Sequence, residues 1–291
     1  MRPPRAGRAP ATPTIPDWVL WRERNGRLSP LRIVALAILI LPLFFILADA
    51  WRANLGPEPL NAVMHETGRW SIRFLIASLA ITPAGRILAW PRLYQIRRMV
   101  GLGALAWVLL HLTLYVADQN WVVTTALLEI AKRFYLTIGF VAVAGLCVLG
   151  WTSTDGWMKR LGRRWKRLHR LIFPIILLAM LHAFIQAKSD VGQESLLTGI
   201  LLWLLLWRLV PARWQSSLPA LAALTVVAFL ASVGIEYAWY ALATNLPASR
   251  VAAANFDLTF GPRPAAWATI GMAGFVLLAA ARQLVQKLRG A

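Results

Sequence analysis

Residues 99–117 read MVGLGALAWVLLHLTLYVA. The stretch contains no Asp, Glu, Lys or Arg, and His111 is its one side chain that titrates near neutral pH. Nineteen residues in an α-helix extend about 28 Å, close to the thickness of the hydrocarbon core of a bilayer. The stretch therefore predicts a membrane-spanning helix that carries a histidine inside it.

Similar apolar stretches recur along the 291-residue chain. The predicted spans are Leu31–Ala50, Trp70–Thr82, Met99–Ala117, Phe134–Trp151, Leu171–Ala187, Leu196–Val210, Leu218–Leu242 and Ala265–Ala281. The second span is the weakest, because it is short and contains Arg73, although residues up to Trp90 would complete it despite Pro83. We predict an all-α, polytopic membrane helix bundle of about eight transmembrane helices.

Composition excludes a soluble globular protein. Hydrophobic residues make up 58% of the chain and charged residues only 15%, whereas a soluble domain has about 25% charged residues. The single cysteine, Cys147, also excludes a disulfide or a cysteine-based metal site within one chain.

The net charge of +19 is explained by topology rather than by nucleic-acid binding. With the N-terminus in the cytoplasm, 23 of the 31 Lys and Arg residues fall on the inner side, as the positive-inside rule requires. We therefore expect both termini to be cytoplasmic and basic loops to face anionic lipid. Residues 1–30 are expected to form a disordered basic cytoplasmic tail that is retained.

Two histidines are predicted at equal depth in the membrane. His111 lies eleven residues after Val100, and His182 lies eleven residues after Leu171. Both imidazoles are therefore about 16 Å from the cytoplasmic edge. Such a pair suits axial ligation of a haem iron between two helices. The alternative is that each histidine only hydrogen-bonds a neighbouring helix.

His169 is a candidate ligand for a second haem, about 20 Å from His182 along the axis. Ideal helical phase places the two histidines about 140° apart, and the third span offers arginines, not a histidine, at that depth. Alternatively, His169 could be one more basic residue of the cytoplasmic loop at the membrane interface, with no haem to bind. Three cytoplasmic arginines could contact haem propionates or an acidic electron donor, or could serve topology alone: Arg97, Arg98 and Arg164.

A nucleotide-binding domain is not predicted. The glycines of Gly101-Leu102-Gly103 lie inside a transmembrane span and not between a strand and a helix. Electrons for any redox chemistry are therefore expected from a lipid-soluble carrier or from another protein.

Several motifs together resemble the MsrQ (YedZ) family, over roughly residues 31–210. These motifs are Gly68-Arg69-Trp70, Ile81-Thr82-Pro83, Arg97-Arg98-Met99-Val100-Gly101-Leu102, His111-Leu112-Thr113-Leu114-Tyr115, Thr152-Ser153-Thr154, Leu161-Gly162-Arg163-Arg164-Trp165-Lys166-Arg167-Leu168-His169, and His182 followed by Lys188. They occur in the order found in the family.

The resemblance implies a ferric-reductase-like membrane domain with haem b, located in the bacterial inner membrane. It implies His111 and His182 as an axial pair and His169 as a further haem-linked histidine. It also implies electrons from the quinone pool, FMN as an associated cofactor, and a periplasmic molybdopterin subunit that reduces methionine sulfoxide. His65, in the predicted first outer loop, matches a family histidine to which we assign no role. The chain would then be an electron-transfer subunit without catalytic residues of its own.

Residues 211–291 depart from the family by adding two spans, so we divide the chain into a tail (1–30), a haem-binding domain (31–210) and an extension (211–291). Glu236 in the extension could pair with a neighbouring helix or line a quinone pocket. Two other functions stay open: a haem-bearing transmembrane reductase for another acceptor such as ferric iron, and a non-redox helical bundle.

Overall fold

The computed structural model describes residues 21–23, 26–259 and 261–290. Within these ranges the regular secondary structure is helical, apart from an isolated antiparallel bridge between Arg22 and Leu28. The all-α prediction is therefore confirmed. Most of the predicted basic tail, residues 1–30, lies outside the described residues.

Twelve α-helices follow one another along the described chain. They are α1 Pro30–Trp51, α2 Pro59–Ile87, α3 Arg97–Asp118, α4 Val123–Lys132, α5 Phe134–Trp151, α6 Asp155–Leu161, α7 Arg163–Leu168, α8 Ile172–Ala187, α9 Gly192–Trp207, α10 Leu218–Ala243, α11 Ala248–Ala253 and α12 Pro264–Gly290. Short 3₁₀ helices, Pro91–Ile96 and His169–Leu171, lead directly into α3 and α8. Pro30 and Pro59 begin α1 and α2. Proline is tolerated at the first position of a helix because the N–H group it lacks would have no acceptor within the helix.

Six helical segments are long and apolar enough to cross a membrane. They are Pro30–Trp51, Pro91–Asp118, Phe134–Trp151, Arg163–Ala187, Leu218–Ala243 and Pro264–Arg289. The chain is therefore a multi-pass membrane protein. Predicted span two falls within α2, and predicted span six overlaps α9 but runs past its last residue, Trp207. Neither helix meets the same criterion, and α9 is apolar but short. Eight transmembrane helices thus stay a prediction, as does the cytoplasmic location of both termini.

Helices α2 and α9 lie at the centre of the bundle, which explains the weak hydropathy of α2. Helix α2 packs against α1, α3, α8 and α9, and α9 packs against α2, α8, α10 and α12. A helix surrounded by other helices touches little lipid, so it can carry polar residues such as Thr67 and Ser71 on α2 and Ser195 on α9, all nearly inaccessible. The lipid-facing helix α1 instead exposes apolar side chains such as Phe44 and Phe45.

The basic segments α6 and α7 define one end of the bundle, which we call the inner end, following the predicted orientation. The opposite end, the outer end, carries α4 and α11. Helices α10 and α12 both pack against α9, so the predicted extension lies against that helix of the bundle.

Candidate functional site

The structure brings His111 on α3 and His182 on α8 together. Their ring centroids are 6.4 Å apart and their planes make an angle of 73°. The two helices are not neighbours in sequence, and only their packing within the bundle produces this pair.

Each histidine of the pair donates a hydrogen bond to a backbone carbonyl on a different helix. Nδ1 of His111 lies 2.7 Å from the carbonyl oxygen of Met64 on α2. Nδ1 of His182 lies 2.8 Å from the carbonyl oxygen of Tyr135 on α5. Because a carbonyl oxygen only accepts, each Nδ1 must carry the proton, which leaves both Nε2 atoms with a free lone pair. Metal-bound histidines in proteins are commonly held in this way.

Two helical glycines make room for the histidine rings. A Cβ atom on Gly68 of α2 would lie 3.0 Å from Nδ1 of His111, and a Cβ atom on Gly139 of α5 would lie 2.9 Å from Nδ1 of His182. Real side-chain contacts are rarely so short, so any larger residue would displace a ring. The glycines thus allow each imidazole to reach the backbone of the neighbouring helix.

The two histidines line one cavity of about 850 Å³, within the range of cofactor sites. Its inner wall is apolar and includes Leu75, Val108, Val143, Leu146 and Ala179. Its outer mouth is polar and is lined by side chains including His65, Arg69, Asp118, Glu129, Arg133, Lys188, Asp190 and Glu194. An apolar interior with a charged mouth fits a largely apolar molecule whose charged groups lie at one edge.

The spacing of the rings fits one metal ion between them. Two imidazoles that bind one metal at about 2.0 Å have their centroids at most about 6.2 Å apart, since each centroid lies about 1.1 Å behind its nitrogen. The observed separation is 6.4 Å. His111 and His182 are therefore the residues that would hold a haem iron in this cavity. The described residues contain no cluster of three or more His, Cys, Asp or Glu that could hold a bare metal ion.

His65 is placed differently from the sequence prediction. It was expected in an outer loop, but it lies within α2 and lines the cavity mouth. The reason is that Pro59 begins α2 eleven residues before Trp70, so polar residues of the predicted loop form the outer turns of a long helix. Glu66 pairs there with Arg69 at 3.4 Å and Arg73 at 3.0 Å.

The three arginines that could contact haem propionates or an acidic electron donor do not line the cavity. Arg97, Arg98 and Arg164 are exposed at the inner end, and Arg98 pairs with Asp155 at 2.7 Å. The cations that do line the cavity are Arg69, Arg133 and Lys188. Sequence reasoning missed these because each belongs to a different segment, and only the fold brings them to one mouth.

His169 lies apart from the histidine pair, in a small cluster at the inner end. Its Nε2 is 3.1 Å from Oγ1 of Thr152, and its ring stacks on Trp165 with centroids 4.0 Å apart. The indole nitrogen of Trp165 donates to the carbonyl oxygen of Thr152 at 2.9 Å. His169 thus has local partners, and its link to a second haem stays a prediction.

Glu236 on α10 is buried and paired, which favours the packing interpretation over a quinone pocket. Its side chain is 1% exposed. One carboxylate oxygen lies 2.9 Å from Arg263, and the other accepts a hydrogen bond from Asn255 at 2.6 Å. The cluster ties the segment around α11 to α10.

Comparison with known proteins assigns the chain to a family. The model of the family described as ferric reductase like transmembrane component matches residues 67–180, a range that contains Gly68, His111 and Gly139 and stops just before His182. A protein of Xanthomonas campestris pv. campestris named protein-methionine-sulfoxide reductase heme-binding subunit MsrQ is 46% identical over 155 residues, which are 53% of this chain and 71% of that protein. The chain belongs to the MsrQ family.

Other MsrQ proteins match over longer stretches. The protein of the same name from Xanthomonas oryzae pv. oryzae is 45% identical over 164 residues, 55% of this chain and 75% of its own length. The MsrQ protein of Rhodospirillum rubrum is 40% identical over 195 residues, 66% of this chain and 90% of its own length. This MsrQ-family chain therefore has about a third of its length outside that match. No solved structure matches the chain.

Proposed function

We propose that this MsrQ-family chain is a membrane electron-transfer subunit that binds haem b between α3 and α8. His111 and His182 supply the axial ligands. The observation that carries the proposal is their geometry: both rings are locked by carbonyl acceptors with Nε2 free, at the spacing of two ligands on one metal. The family name, heme-binding subunit, supports the same cofactor.

Haem bound in this way supplies a one-electron relay, and two axial histidines favour electron transfer over oxygen binding. The protein's own residues prepare the site. Met64 and Tyr135 fix the tautomer and orientation of the ligand histidines through their carbonyls. The apolar inner wall would surround the haem ring, and the cations Arg69, Arg133 and Lys188 would place positive charge near its carboxylates at the outer mouth.

The donor and acceptor follow from the resemblance and from chemistry. We propose quinol of the bacterial inner membrane as the donor and a periplasmic molybdopterin methionine sulfoxide reductase as the acceptor, for repair of oxidised proteins. Quinol releases two electrons and two protons, and reduction of a sulfoxide to a thioether consumes two of each and forms water. FMN stays a proposal at the family level, testable by flavin release from the purified protein.

The test uses the full chain reconstituted in proteoliposomes with a short-chain quinol. We expect quinol to generate the reduced haem b spectrum, and the purified periplasmic reductase plus methionine sulfoxide to reoxidise it. Ferric citrate without the reductase is the control acceptor. Reoxidation by ferric citrate at the same rate would instead assign the chain to the ferric reductases, and no reduction by quinol would refute the donor.

A further inference from the structure

The backbone turns sharply directly after α8, at Lys188. This residue has φ +55° and ψ −104°, a region that side-chain-bearing residues rarely adopt. Glycine would accept this conformation without strain. A lysine persists there only if neighbouring groups fix the backbone, and such positions concentrate at functional sites.

Two adjacent side chains of α10 fix this turn. Nε1 of Trp239 donates to the carbonyl oxygen of Lys188 at 2.8 Å, and the hydroxyl of Tyr240 donates to the carbonyl oxygen of Ser189 at 2.9 Å. The indole ring of Trp239 also packs on Phe184 of α8, with centroids 5.3 Å apart. We call this set of contacts the α10 clamp. Helix α10 belongs to the extension, so the extension holds the loop that follows the His182 helix.

Lys188 borders two spaces. It lines the mouth of the histidine cavity, and it also lines a groove of about 510 Å³ between α8 and α10. The groove is otherwise mostly apolar, with Leu181 and Ile185 on one side and Ala243 on the other. The backbone conformation at Lys188 therefore decides which of the two spaces its side chain can enter.

Lys188 differs from the other cations of the cavity mouth. Arg69 pairs with Glu66, and Arg133 pairs with Glu129 at 2.6 Å. Within the described part of the chain, Lys188 has no carboxylate within ion-pair distance, although Asp190 and Glu194 line the same mouth. A cation without a carboxylate partner, at the edge of an apolar cavity, is available to an anionic ligand group.

We propose that the extension positions Lys188 to bind a carboxylate of the cavity's ligand, with Trp239 and Tyr240 as positioning residues. The inference rests on the proposed function, in which that carboxylate is a haem propionate. It gives α10 a role beyond packing: the clamp fixes the turn after α8, and the turn directs the ammonium group to the cavity instead of the groove.

The test compares four variants of the full chain. Trp239→Phe with Tyr240→Phe removes both clamp donors and keeps the aromatic rings, Lys188→Gln removes the cation, and the triple variant combines them. Trp203→Phe is the matched control, because it removes an indole donor from the same α9–α10 region, the bond to Oγ1 of Thr225 at 3.1 Å, far from the loop. The readouts are amide hydrogen exchange of residues 187–191 in haem-free protein and the haem midpoint potential.

We expect the double variant to exchange the loop amides about thirtyfold faster, the factor for loss of two typical hydrogen bonds, and the control to leave them unchanged. The double variant and Lys188→Gln should both lower the midpoint potential, and the triple variant should lower it no further than Lys188→Gln alone.

Unchanged exchange in the double variant would overturn the clamp, and an additive shift in the triple variant would overturn its action through Lys188. If the wild-type protein bound no haem while the exchange effect persisted, the proposed function would fail and the clamp would stand.

Discussion

Nδ1 of His111 lies 2.7 Å from the carbonyl oxygen of Met64, and this contact sets the chemistry of the histidine. The carbonyl can only accept, so the proton is on Nδ1 and the lone pair is on Nε2. His182 has the same arrangement with Tyr135. The histidines lie on α3 and α8, and their hydrogen-bond acceptors lie on α2 and α5. The site therefore depends on the correct packing of four helices.

Replacing Gly139 by alanine should weaken haem binding about tenfold, the effect typical of disturbing a group that orients a metal ligand. The added Cβ would lie 2.9 Å from Nδ1 of His182 and would push the ring from its carbonyl partner. The measurement is haem per protein after purification with limiting haem. Gly234→Ala is the control, because no atom lies within 4 Å of its added Cβ; equal haem content in both variants would contradict the packing role of Gly139.

Neutralising the cations at the cavity mouth should lower the haem midpoint potential. Arg69→Gln with Arg133→Gln removes positive charge beside the proposed propionates, which makes the reduced state less favourable. The comparison is Arg97→Gln with Arg98→Gln at the inner end, which should leave the potential of this haem unchanged. A larger shift from the inner pair would return the propionate contacts to the arginines predicted from sequence.

His169→Ala should leave intact the Soret band of the haem held by His111 and His182 but slow its reduction by quinol. The residue lies in the cluster with Thr152 and Trp165 and does not line the cavity. Spectra and stopped-flow reduction of the same preparation separate the two effects. Loss of the outer haem in this variant would show that His169 belongs to the same site as His111 and His182.

Breaking the buried pair in the extension should destabilise the protein by about 3 kcal/mol, because a lone charge is then left buried. Arg263→Met leaves the carboxylate of Glu236, 1% exposed, without its cation. Thermal unfolding in detergent measures the change, with the exposed Arg250→Met as the control. Equal unfolding temperatures for the two variants would show that the pair contributes nothing to stability.

The sequence predicted the helical class and most spans because apolar runs and interrupting charges are local signals. It was least certain about Trp70–Thr82, which lies in α2, since a helix buried among other helices need not be strongly apolar. Equal depth along two spans was enough to pair His111 with His182. The carbonyls of Met64 and Tyr135 could not be predicted as acceptors for the histidines, because every residue has a carbonyl and only helix packing determines which one a histidine reaches.

The cavity-mouth cations and the role of Lys188 could not be predicted for a related reason. The local sequence around a basic loop residue does not indicate whether its side chain faces lipid, water or a ligand. The inner-end arginines were recognised as candidates because they lie in basic clusters of the sequence. Arg69, Arg133 and Lys188 are far apart in sequence, and only the fold brings them to one cavity.

The most direct test of the central claim is the dithionite-reduced minus oxidised visible spectrum of the purified protein, with pyridine haemochrome quantitation, for the wild type, His111→Ala, His182→Ala and His65→Ala. We predict a haem b spectrum in the wild type and in His65→Ala, and loss of that haem in each of the other two variants. A full, unshifted spectrum after either His111→Ala or His182→Ala would contradict axial ligation by the pair.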